Sequence, residues 1–426
     1  MKSLCRFAYN CFLLPLMWTA IQLLALFKAK VRRGIRGRRS LFPSLETQVA
    51  HKLPPGKRIW FHASSMGEFE QAKPIIAELK RQHDDVRIIA TFFSPSGYEH
   101  SKKYPLADVI SYIPIDTIGN ARRFLDLTRP DVAVIIRYDV WPNHIWELEK
   151  RNIPMVIANA TMRHNTLRRY LLVRHFHYFV YNAISNILTV SESDVKAFGV
   201  FKLDRPHIEA IGDTRYDQVS NRSAEAQKRH IISETILRGK RVIVAGSSWP
   251  EDEEVLIPAF LQLQSEGNNL LLIIVPHEPT VEHLEELEST LTGTTSFIRF
   301  SGLNDYSGEH VIIVDSIGIL LALYTCAHIA YIGGSFKQNV HNVLEAAVYG
   351  IPVVYGPRHR NSQEAIRLAE LGGGFVVDGV ESMKNTFRRL LDDEAARTTS
   401  GKTAAAFVQQ NVGATERFLK YLERYL

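Results

Sequence analysis

The sequence predicts an α/β protein with two Rossmann-like, doubly wound domains that face a cleft, preceded by an N-terminal membrane helix. The 426 residues exceed what a single hydrophobic core usually holds. Short apolar runs alternate with longer amphipathic stretches, which is typical of parallel sheets built from βαβ units. A long uncharged segment stands ahead of the first run. We therefore divide the chain into a membrane anchor with a basic segment at residues 1–40 and two α/β domains at 41–218 and 219–426.

The uncharged segment covers 21 residues, 7–27. As a helix it would be about 31 Å long, which matches a hydrocarbon core of about 30 Å. Seven Lys and Arg residues follow within twelve positions, against two before it, so the positive-inside rule places the following body in the cytoplasm. A helix in the membrane plane is the main alternative, because Asn10, Pro15, Thr19 and Gln22 interrupt the apolar run. A cleaved signal peptide would need a small-residue cleavage site, which the following residues lack.

The charge distribution argues against nucleic-acid binding. Nine of the 51 Lys and Arg residues, and no acidic residue, lie in positions 1–40, so the remaining chain holds 42 basic and 45 acidic residues. A protein that neutralises nucleic-acid phosphates would carry its basic excess on the folded body. The three cysteines, Cys5, Cys11 and Cys326, are too few and scattered for a disulfide framework and fit a reducing compartment.

Two series of apolar runs define the two domains, and a polar stretch at 220–240 separates them. Their continuous apolar character predicts strands covered on both faces. The first series is 58–63, 86–93, 109–114, 132–137, 155–159 and 187–190; the second is 241–245, 270–276, 311–314, 329–332, 353–355 and 375–377. Helix patterns lie between them, for example at 69–82, 120–128, 252–266 and 341–349, and a last amphipathic helix near 416–426 could pack on either domain.

Candidate site residues follow the predicted strands, because ligands of doubly wound sheets bind beyond the carboxyl ends of the strands. Glu68 opens the helix after the first strand and could act as a general base, or it could only stabilise the helix dipole. In the second half, Gly333-Gly334-Ser335 and then 341–345 follow a strand and could bind a phosphate at a helix N-terminus, with Glu345 on ribose hydroxyls. A simple turn is the alternative.

Other strand ends add weaker candidates. The runs 276–278, 315–318 and 356–359 are each compatible with an ordinary turn. Arg215 could bind a phosphate or carboxylate bidentately, or form a surface salt bridge. The acidic run 251–254 starts a helix and is no Asp-x-Asp motif at a strand end, so we expect no metal site and no cofactor.

Taken together, these motifs resemble the 3-deoxy-D-manno-octulosonic acid (Kdo) transferases of Gram-negative bacteria. The resemblance implies a glycosyltransferase-B fold and inverting transfer of Kdo from CMP-Kdo to a lipid A precursor at the cytoplasmic face of the inner membrane. It implies acceptor binding by the N-terminal domain and donor binding by the C-terminal domain. The partners would be CMP-Kdo, the lipid A precursor and inner-membrane lipids, with no nucleic acid. The motifs are Ser65-Met66-Gly67-Glu68, Asp139-Val140-Trp141-Pro142-Asn143, Val156-Ile157-Ala158-Asn159-Ala160, Gly333-Gly334-Ser335 and His341-Asn342-Val343-Leu344-Glu345.

By resemblance, Glu68 is the general base and Arg215 stabilises the departing phosphate. Arg137 stands where many members have a Glu, so its role differs from theirs. Three further departures lie in the donor region: His277-Glu278 replaces an Arg-His pair, Ile319 replaces a Glu and Val343 replaces a Pro. The donor-binding positions are Pro276, His277, Ile317, Gly318, Ile319, Gly334, Ser335, His341, Asn342, Val343, Leu344 and Glu345.

Three other functions are weighed against this one. They are another membrane-associated glycosyltransferase of the same fold using a UDP-sugar, a UDP-sugar epimerase, and a catalytically dead membrane scaffold. Arg137 is the feature that favours the scaffold.

Overall fold

The computed structural model describes residues 1–162, 170–267 and 269–426 and divides the chain into two compact units. The first unit contains Met1–Gln218 and Val412–Leu426, and the second contains Val219–Asn411. The boundary after Gln218 is the one drawn from the sequence. The assignment of the C-terminal end differs, because 412–426 belong to the first unit and not to the second.

The first unit is built on a seven-stranded parallel sheet of order β3-β2-β1-β4-β5-β6-β7. Its strands are β1 (Lys57–Ala63), β2 (Val86–Phe92), β3 (Val109–Tyr112), β4 (Val132–Ile136), β5 (Met155–Ala160), β6 (Asn186–Thr189) and β7 (His207–Ala210). The strand order reverses beside β1, so the ends of β1 and β4 lie next to one another, with Ile59 opposite Val132. This topological switch is where doubly wound sheets bind ligands.

The second unit repeats the plan with a parallel sheet of order β10-β11-β9-β8-β12-β13-β14. Its strands are β8 (Arg241–Ser248), β9 (Leu270–Pro276), β10 (Phe297–Arg299), β11 (Val311–Ile313), β12 (Ile329–Ile332), β13 (Val353–Tyr355) and β14 (Gly374–Val376). The switch lies between β8 and β12, where Ile243 pairs with Ile329.

Helices cover both sheets. In the first unit they are α1 (Lys2–Ala8), α2 (Leu14–Phe27), α3 (Ala29–Arg38), α4 (Leu41–Lys52), α5 (Met66–Gln82), α6 (Pro95–Ser101), α7 (Ile118–Thr128), α8 (Pro142–Lys150), α9 (Leu171–Tyr181) and α10 (Glu192–Phe198). Helix α11 (Thr214–Ala226) crosses the boundary. Those that follow are α12 (Glu234–Leu237), α13 (Pro250–Ser265), α14 (Val281–Leu291), α15 (Leu320–Leu323), α16 (Leu344–Ala347), α17 (Gln363–Leu371), α18 (Val380–Asp392), α19 (Glu394–Asn411) and α20 (Ala414–Leu422).

The sequence-predicted strands are all present, and two strands were missed. Strand β7 is half-exposed along its length, and β10 has only three residues, none fully buried. Both are edge strands. Edge strands lack the continuous apolar run that identifies a strand buried on both faces.

The predicted helix at 341–349 is the main local error. Only one helical turn, Leu344–Ala347, forms there, and an irregular loop precedes it. Backbone hydrogen bonds from His341 N to Gly333 O and from Val340 N to Arg358 O hold this loop against neighbouring turns. The backbone N–H groups of Val340 and His341 are therefore already paired and cannot serve as free N–H groups of a helix N-terminus.

The N-terminal segment is one helix from Lys2 to Phe27 with a π-helical turn at Tyr9–Leu13. By length and composition it could cross a membrane. Tyr9 and Leu14 are nevertheless buried in the hydrophobic core of the first unit. The segment assigned from the sequence as a membrane anchor therefore also contributes to the core of the folded first unit.

The C-terminal helix α20 packs on helix α5 of the first unit, with Phe418, Leu419 and Leu422 buried in its core. The buried carboxylate of Asp217 accepts hydrogen bonds from Gly413 N at 2.6 Å and Thr415 N at 2.8 Å. This acid satisfies the amides at the start of α20 and fixes the chain's return to the first unit.

Candidate functional site

Glu68 lies in the turn between β1 and α5, on the first turn of the helix. Ser65 caps this helix, and its hydroxyl accepts from Glu68 N at 3.5 Å. The Glu68 carboxylate bends back, and its Oε2 accepts from Ser64 N at 2.5 Å. The sequence Ser65-Met66-Gly67-Glu68 thus closes the helix start reciprocally, much as a capping box does. The residue is 9% exposed, so a carboxylate is held in a site largely shielded from water.

Burial raises the pKa of Glu68 above the ordinary glutamate value. The hydrogen bond from Ser64 N opposes this rise, and the nearby Asp139 carboxylate adds to it. The charges of His62 and Arg137 oppose it. A raised pKa increases the basicity of the carboxylate, which suits a general base.

A chain of buried side chains reaches Asp139 from the sheet. Trp60 Nε1 donates to Thr91 Oγ1 at 2.7 Å, and the His62 Nδ1 to Thr91 Oγ1 distance is 2.9 Å. On the other side of the ring, His62 Nε2 lies 2.9 Å from Asp139 Oδ2. Since a carboxylate only accepts, Nε2–H of His62 donates to Asp139, and Nδ1 lies within hydrogen-bond distance of the Thr91 hydroxyl. Burial alone would raise the pKa of Asp139, but the His62 hydrogen bond holds it below its ordinary value.

Arg137 follows β4, beside the end of β1, in the left-handed backbone region with φ 64°. Its Nε donates to Gln71 Oε1 at 3.2 Å, and Asn159 Nδ2 donates to the same oxygen at 3.1 Å. Over residues 1–162, 170–267 and 269–426, no carboxylate forms an ion pair with its guanidinium. Arg137 therefore supplies positive charge close to Glu68.

The same polar network continues to Thr214, the residue before Arg215. Asn159 Nδ2 also donates to Thr214 Oγ1 at 2.6 Å, and Thr214 Oγ1 donates to Gln71 O at 2.7 Å. Gln71, Asn159 and Thr214 are all buried. Sequence reasoning missed Gln71 and Thr214, because a lone Gln inside a helix and a Thr before an Arg carry no distinguishing pattern.

Arg215 itself pairs with Asp213. Its Nε and Nη2 lie 2.9 and 2.7 Å from Asp213 Oδ2. Asp213 is buried, whereas the Arg215 side chain is 35% exposed. The pairing orients the guanidinium.

Arg38 is a further residue that sequence reasoning placed differently. The sequence groups it with the basic segment at residues 1–40. In the structure its guanidinium lies between the rings of Phe93 and Tyr112, 4.9 and 4.7 Å from their centres. Its Nη2 donates to Phe93 O at 2.6 Å and its Nε to Ile113 O at 3.0 Å. Burial lowers the pKa of Arg38 to about 10, and the charge of Asp139 is among the effects that oppose this. Arg38 thus packs within the folded first unit, although the sequence groups it with the basic segment.

In the second unit, Asp252 organises the Gly333-Gly334-Ser335 loop. This fully buried carboxylate accepts from Gly334 N at 2.7 Å, Phe336 N at 3.3 Å and Tyr331 OH at 2.7 Å. It also accepts from Trp249 N at 3.0 Å. In the sequence, Asp252 is only one acid of the run 251–254 that starts a helix. Its role depends on β12 lying beside β8, which no local pattern shows.

Glycines are required in this loop for steric reasons. Gly334 has φ +92°, and a Cβ there would collide with Asn339 O and the His341 ring. A Cβ on Gly333 would collide with the backbone of Ser247. Ser335 is buried, and its hydroxyl accepts from Gly356 N at 2.6 Å. Ser335 therefore supports the loop and does not face an open site.

Three rings stack beside this loop. Trp249 lies 4.9 Å from His277, and His277 lies 4.4 Å from His341, with interplanar angles of 28° and 20°. Trp249 Nε1 donates to His341 Nε2 at 3.0 Å. Burial, with a smaller effect from His277, lowers the pKa of His341 to about 4. His341 is therefore neutral at physiological pH, and the stack offers a flat surface next to the loop.

The other donor-site candidates divide into exposed and core residues. Glu345 is half-buried, and its Oε1 lies 3.8 Å from Arg222 Nη1. Ile317 is 82% exposed in the loop after β11, which also contains Gly318 and Ile319, whereas Asn342 is exposed and its Oδ1 accepts from Leu344 N at 3.2 Å. Pro276, Val343 and Leu344 are buried. The loops after β8, β9, β11 and β12 share one edge of the sheet, but Val343 and Leu344 are packing residues and not ligand contacts.

No group of three or more His, Cys, Asp or Glu side chains that could hold a metal ion occurs in the part of the chain that the structure describes.

The fold and the strand-end cluster define a class of protein. Two parallel seven-stranded Rossmann-like units form the architecture of GT-B glycosyltransferases and of sugar-nucleotide epimerases. The crystal structure of UDP-GlcNAc 2-epimerase from Neisseria meningitidis bound to UDP-GlcNAc matches with a TM-score of 0.59, covering 86% of this chain and 100% of that chain. At 13% identity this likeness shows the fold alone. The predicted α/β class is thereby confirmed.

The sequence comparisons identify the family. A family model described as 3-deoxy-D-manno-octulosonic-acid transferase (kdotransferase) matches residues 34–218. The 3-deoxy-D-manno-octulosonic acid transferase of Haemophilus influenzae is 28% identical, over 99% of both chains. That of Aquifex aeolicus is 30% identical, over 78% of this chain and 86% of the relative. The chain belongs to the Kdo transferase family and is a glycosyltransferase, which confirms the resemblance seen in its motifs.

Proposed function

We propose that this enzyme transfers Kdo from CMP-Kdo to a lipid A precursor, with inversion and without a metal ion, at the cytoplasmic face of the inner membrane. The observation that carries the proposal is the buried Glu68 carboxylate within a chain that belongs to the Kdo transferase family. One of its oxygens is occupied by Ser64 N, so the other is the atom that would take a proton.

In the proposed reaction Glu68 removes the proton from the attacking hydroxyl of the acceptor sugar. The oxygen then attacks the anomeric carbon of Kdo while the bond to the CMP phosphate breaks. Attack from the face opposite the leaving group inverts the anomeric centre. A general base of this kind contributes about 10²–10⁴-fold to the rate.

The leaving group is a monophosphate, so the charge that develops is small enough for protein groups to stabilise. Arg215 is assigned this role, with Asp213 fixing its orientation. Arg137 supplies a second positive charge near Glu68, and we assign it to an anionic group of a substrate. Preorganised cations and backbone amides can perform such stabilisation without a metal.

For the donor we propose the second unit, with the Gly334 loop, the His277–His341 stack and Glu345 as contacts. The stack offers a face for a base, and Glu345 could accept hydrogen bonds from ribose hydroxyls. We restrict the proposal to the residues whose side chains or loops reach the surface, which excludes Val343 and Leu344.

Nucleotide binding is the first test. At 100 times its dissociation constant, CMP should stabilise the unit that binds it by about 2.7 kcal/mol, whereas UDP at the same concentration should have little effect. Protection by UDP and not CMP would indicate a UDP-sugar enzyme, and protection by neither would favour a membrane scaffold.

Product analysis is the second test. The full-length enzyme is incubated with CMP-Kdo and a lipid A precursor in the presence of EDTA, and the lipid is analysed by mass spectrometry. We expect a mass increase of one or more Kdo residues and release of CMP. If the protein binds CMP but the lipid stays unmodified, the proposal that a lipid A precursor is the acceptor is refuted. The proposal that CMP-Kdo is the donor is then unaffected.

A further inference from the structure

The apolar N-terminal helix lies lengthwise on the first unit. Buried and half-buried positions recur along it at intervals of one to four residues, at Lys2, Cys5, Arg6, Tyr9, Asn10, Leu14, Met17, Ile21 and Ala25. The π-helical turn at Tyr9–Leu13 keeps this stripe in register, because it lets Tyr9 and Leu14, five residues apart, face the same side. The helix therefore has one continuous docked face.

Polar contacts fix its N-terminal end to helix α8 and the loop after β3. Tyr9 OH donates to the buried Asp116 carboxylate at 2.7 Å. Asn10 and Asn143 exchange amide hydrogen bonds of 3.1 and 2.8 Å. Lys2 Nζ lies 2.5 Å from Glu149 Oε2. Removing this end from the body would leave a buried carboxylate and an amide short of partners, which is costly.

The C-terminal half of the helix touches the same unit. Met17, Trp18 and Ile21 line a small cavity together with Phe93 and Trp141. Lys2 and Ile21 are separated by about 28 Å along the helix axis. If the helix crossed a hydrocarbon core of about 30 Å, one of these ends would lie across the membrane from the body. Contacts of both ends with one unit are incompatible with a crossing.

The opposite face of the helix is apolar and exposed. Its side chains include Phe7 at 58%, Phe12 at 68%, Leu16 at 66% and Phe27 at 84% exposure. Leu4, Leu13, Leu23, Leu24 and Leu26 are exposed as well. An exposed apolar surface of this extent is typical of an interaction site.

The neighbouring charges specify the occupant. At Lys28 the backbone leaves the helical region, with φ −114° and ψ 109°, and the short basic helix α3 follows. Apart from the folded Arg38, its basic residues are exposed: Lys28, Lys30, Arg32, Arg33, Arg36 and Arg39. An apolar helix face beside a cluster of cations is complementary to a bilayer with anionic head groups.

We infer that the N-terminal helix does not span the membrane and instead lies in the plane of the cytoplasmic leaflet, inserting its outer apolar face among anionic lipids. The inner face holds the first unit against the membrane surface. This inference concerns the membrane part of the proposed function and is independent of the donor and acceptor, so its test does not use activity.

Topology is tested by cysteine labelling of the full chain. In a Cys5→Ser, Cys11→Ser background, Ser3→Cys places an exposed thiol near the N-terminus, and Thr399→Cys serves as the matched cytoplasmic control. Spheroplasts and inverted membrane vesicles of a Gram-negative host are treated with a membrane-impermeant maleimide. We expect no labelling of either thiol in spheroplasts. Labelling of Ser3→Cys but not Thr399→Cys in spheroplasts would overturn the inference.

Lipid binding is tested by co-sedimentation of the purified full chain with phosphatidylglycerol or phosphatidylcholine vesicles. The double variant Phe12→Ser, Leu16→Ser should bind phosphatidylglycerol vesicles at least tenfold more weakly, whereas Val281→Ser, a change at an exposed apolar residue of the second unit, should not. Each removed cation of Arg33→Glu or Arg36→Glu should weaken binding about fivefold or more. Binding that is unaffected by these variants, or a stable dimer that hides the apolar face in place of vesicle binding, would overturn it.

Discussion

Replacing Glu68 by Gln separates the catalytic role of this residue from its capping role. Gln keeps the size of the side chain and an oxygen that can accept from Ser64 N, which lies 2.5 Å from Oε2 in the structure. The lost charge at the helix N-terminus costs about 0.3–1 kcal/mol. The relief of repulsion from Asp139 acts in the opposite direction, since that carboxylate raises the pKa of Glu68. The free energy of unfolding should therefore change by about 1 kcal/mol or less.

The transfer rate should respond much more strongly. The amide cannot take a proton at neutral pH, so the rate should fall by about 10²-fold or more while CMP affinity stays within a few-fold. The pH dependence provides a second criterion. A base works when deprotonated, and burial raises the pKa of Glu68, so the parental rate should fall on acidification with a midpoint above the ordinary value of 4.5. The residual rate of the Gln variant should lack this step.

The assay is single-turnover transfer of Kdo to a lipid A precursor, with CMP affinity measured by calorimetry and stability by denaturant unfolding. Glu70→Gln is the matched control, because Glu70 lies on the same helix and pairs with Lys73. We expect this control to keep the parental rate. A Glu68→Gln enzyme that also transfers at the parental rate would refute the assignment of Glu68 as the base.

Three further changes test other parts of the structure. Asp252→Asn places an amide N–H₂ among four hydrogen-bond donors, so it should destabilise the protein by about 1–3 kcal/mol in unfolding measurements and weaken CMP binding in calorimetry. Unchanged CMP affinity would show that this acid does not position the residues that bind CMP. His341 resists protonation in the folded state, because its pKa is lowered to about 4, so the free energy of unfolding should decline as the pH falls from 6.5 towards 4. His341→Phe should weaken that decline in pH-dependent unfolding. The same pH dependence of stability in the variant and the parent would contradict this. Tyr9→Phe removes one donor to the buried Asp116 and should lower stability by about 1–3 kcal/mol in denaturant unfolding of the full chain, whereas an unchanged midpoint would show that the helix is not held by this contact.

The strands could be predicted because parallel strands buried on both faces have long apolar runs. Leu270–Pro276 and Ile329–Ile332 match the prediction residue for residue. The edge strands β7 and β10 have weaker patterns and depend on their neighbours for pairing. The helix predicted at 341–349 is longer than the single turn observed at Leu344–Ala347, because the hydrogen bond from His341 N to Gly333 O outweighs the local helix preference.

Single residues at strand ends could be predicted, and the networks that hold them could not. The position of Glu68 after a strand end could be predicted because a strand, a glycine turn and a helix start are adjacent in sequence. Gln71 and Thr214 meet across 143 positions of sequence, and Asp252 meets Gly334 across 82. Such pairs depend on strand order in the sheet, which a local pattern does not determine.

The capping geometry of Glu68 also changes how its two interpretations relate. A capping residue and a general base were treated as alternatives, but a carboxylate has two oxygens, and only Oε2 is committed to Ser64 N. That hydrogen bond fixes the side-chain rotamer and counters the rise in pKa that burial causes, so it favours the carboxylate form in a shielded site. Arg137 acts in the same direction, since its charge favours the carboxylate form. An arginine at this position therefore supports an active base, and the presence of Arg137 does not favour a catalytically dead scaffold.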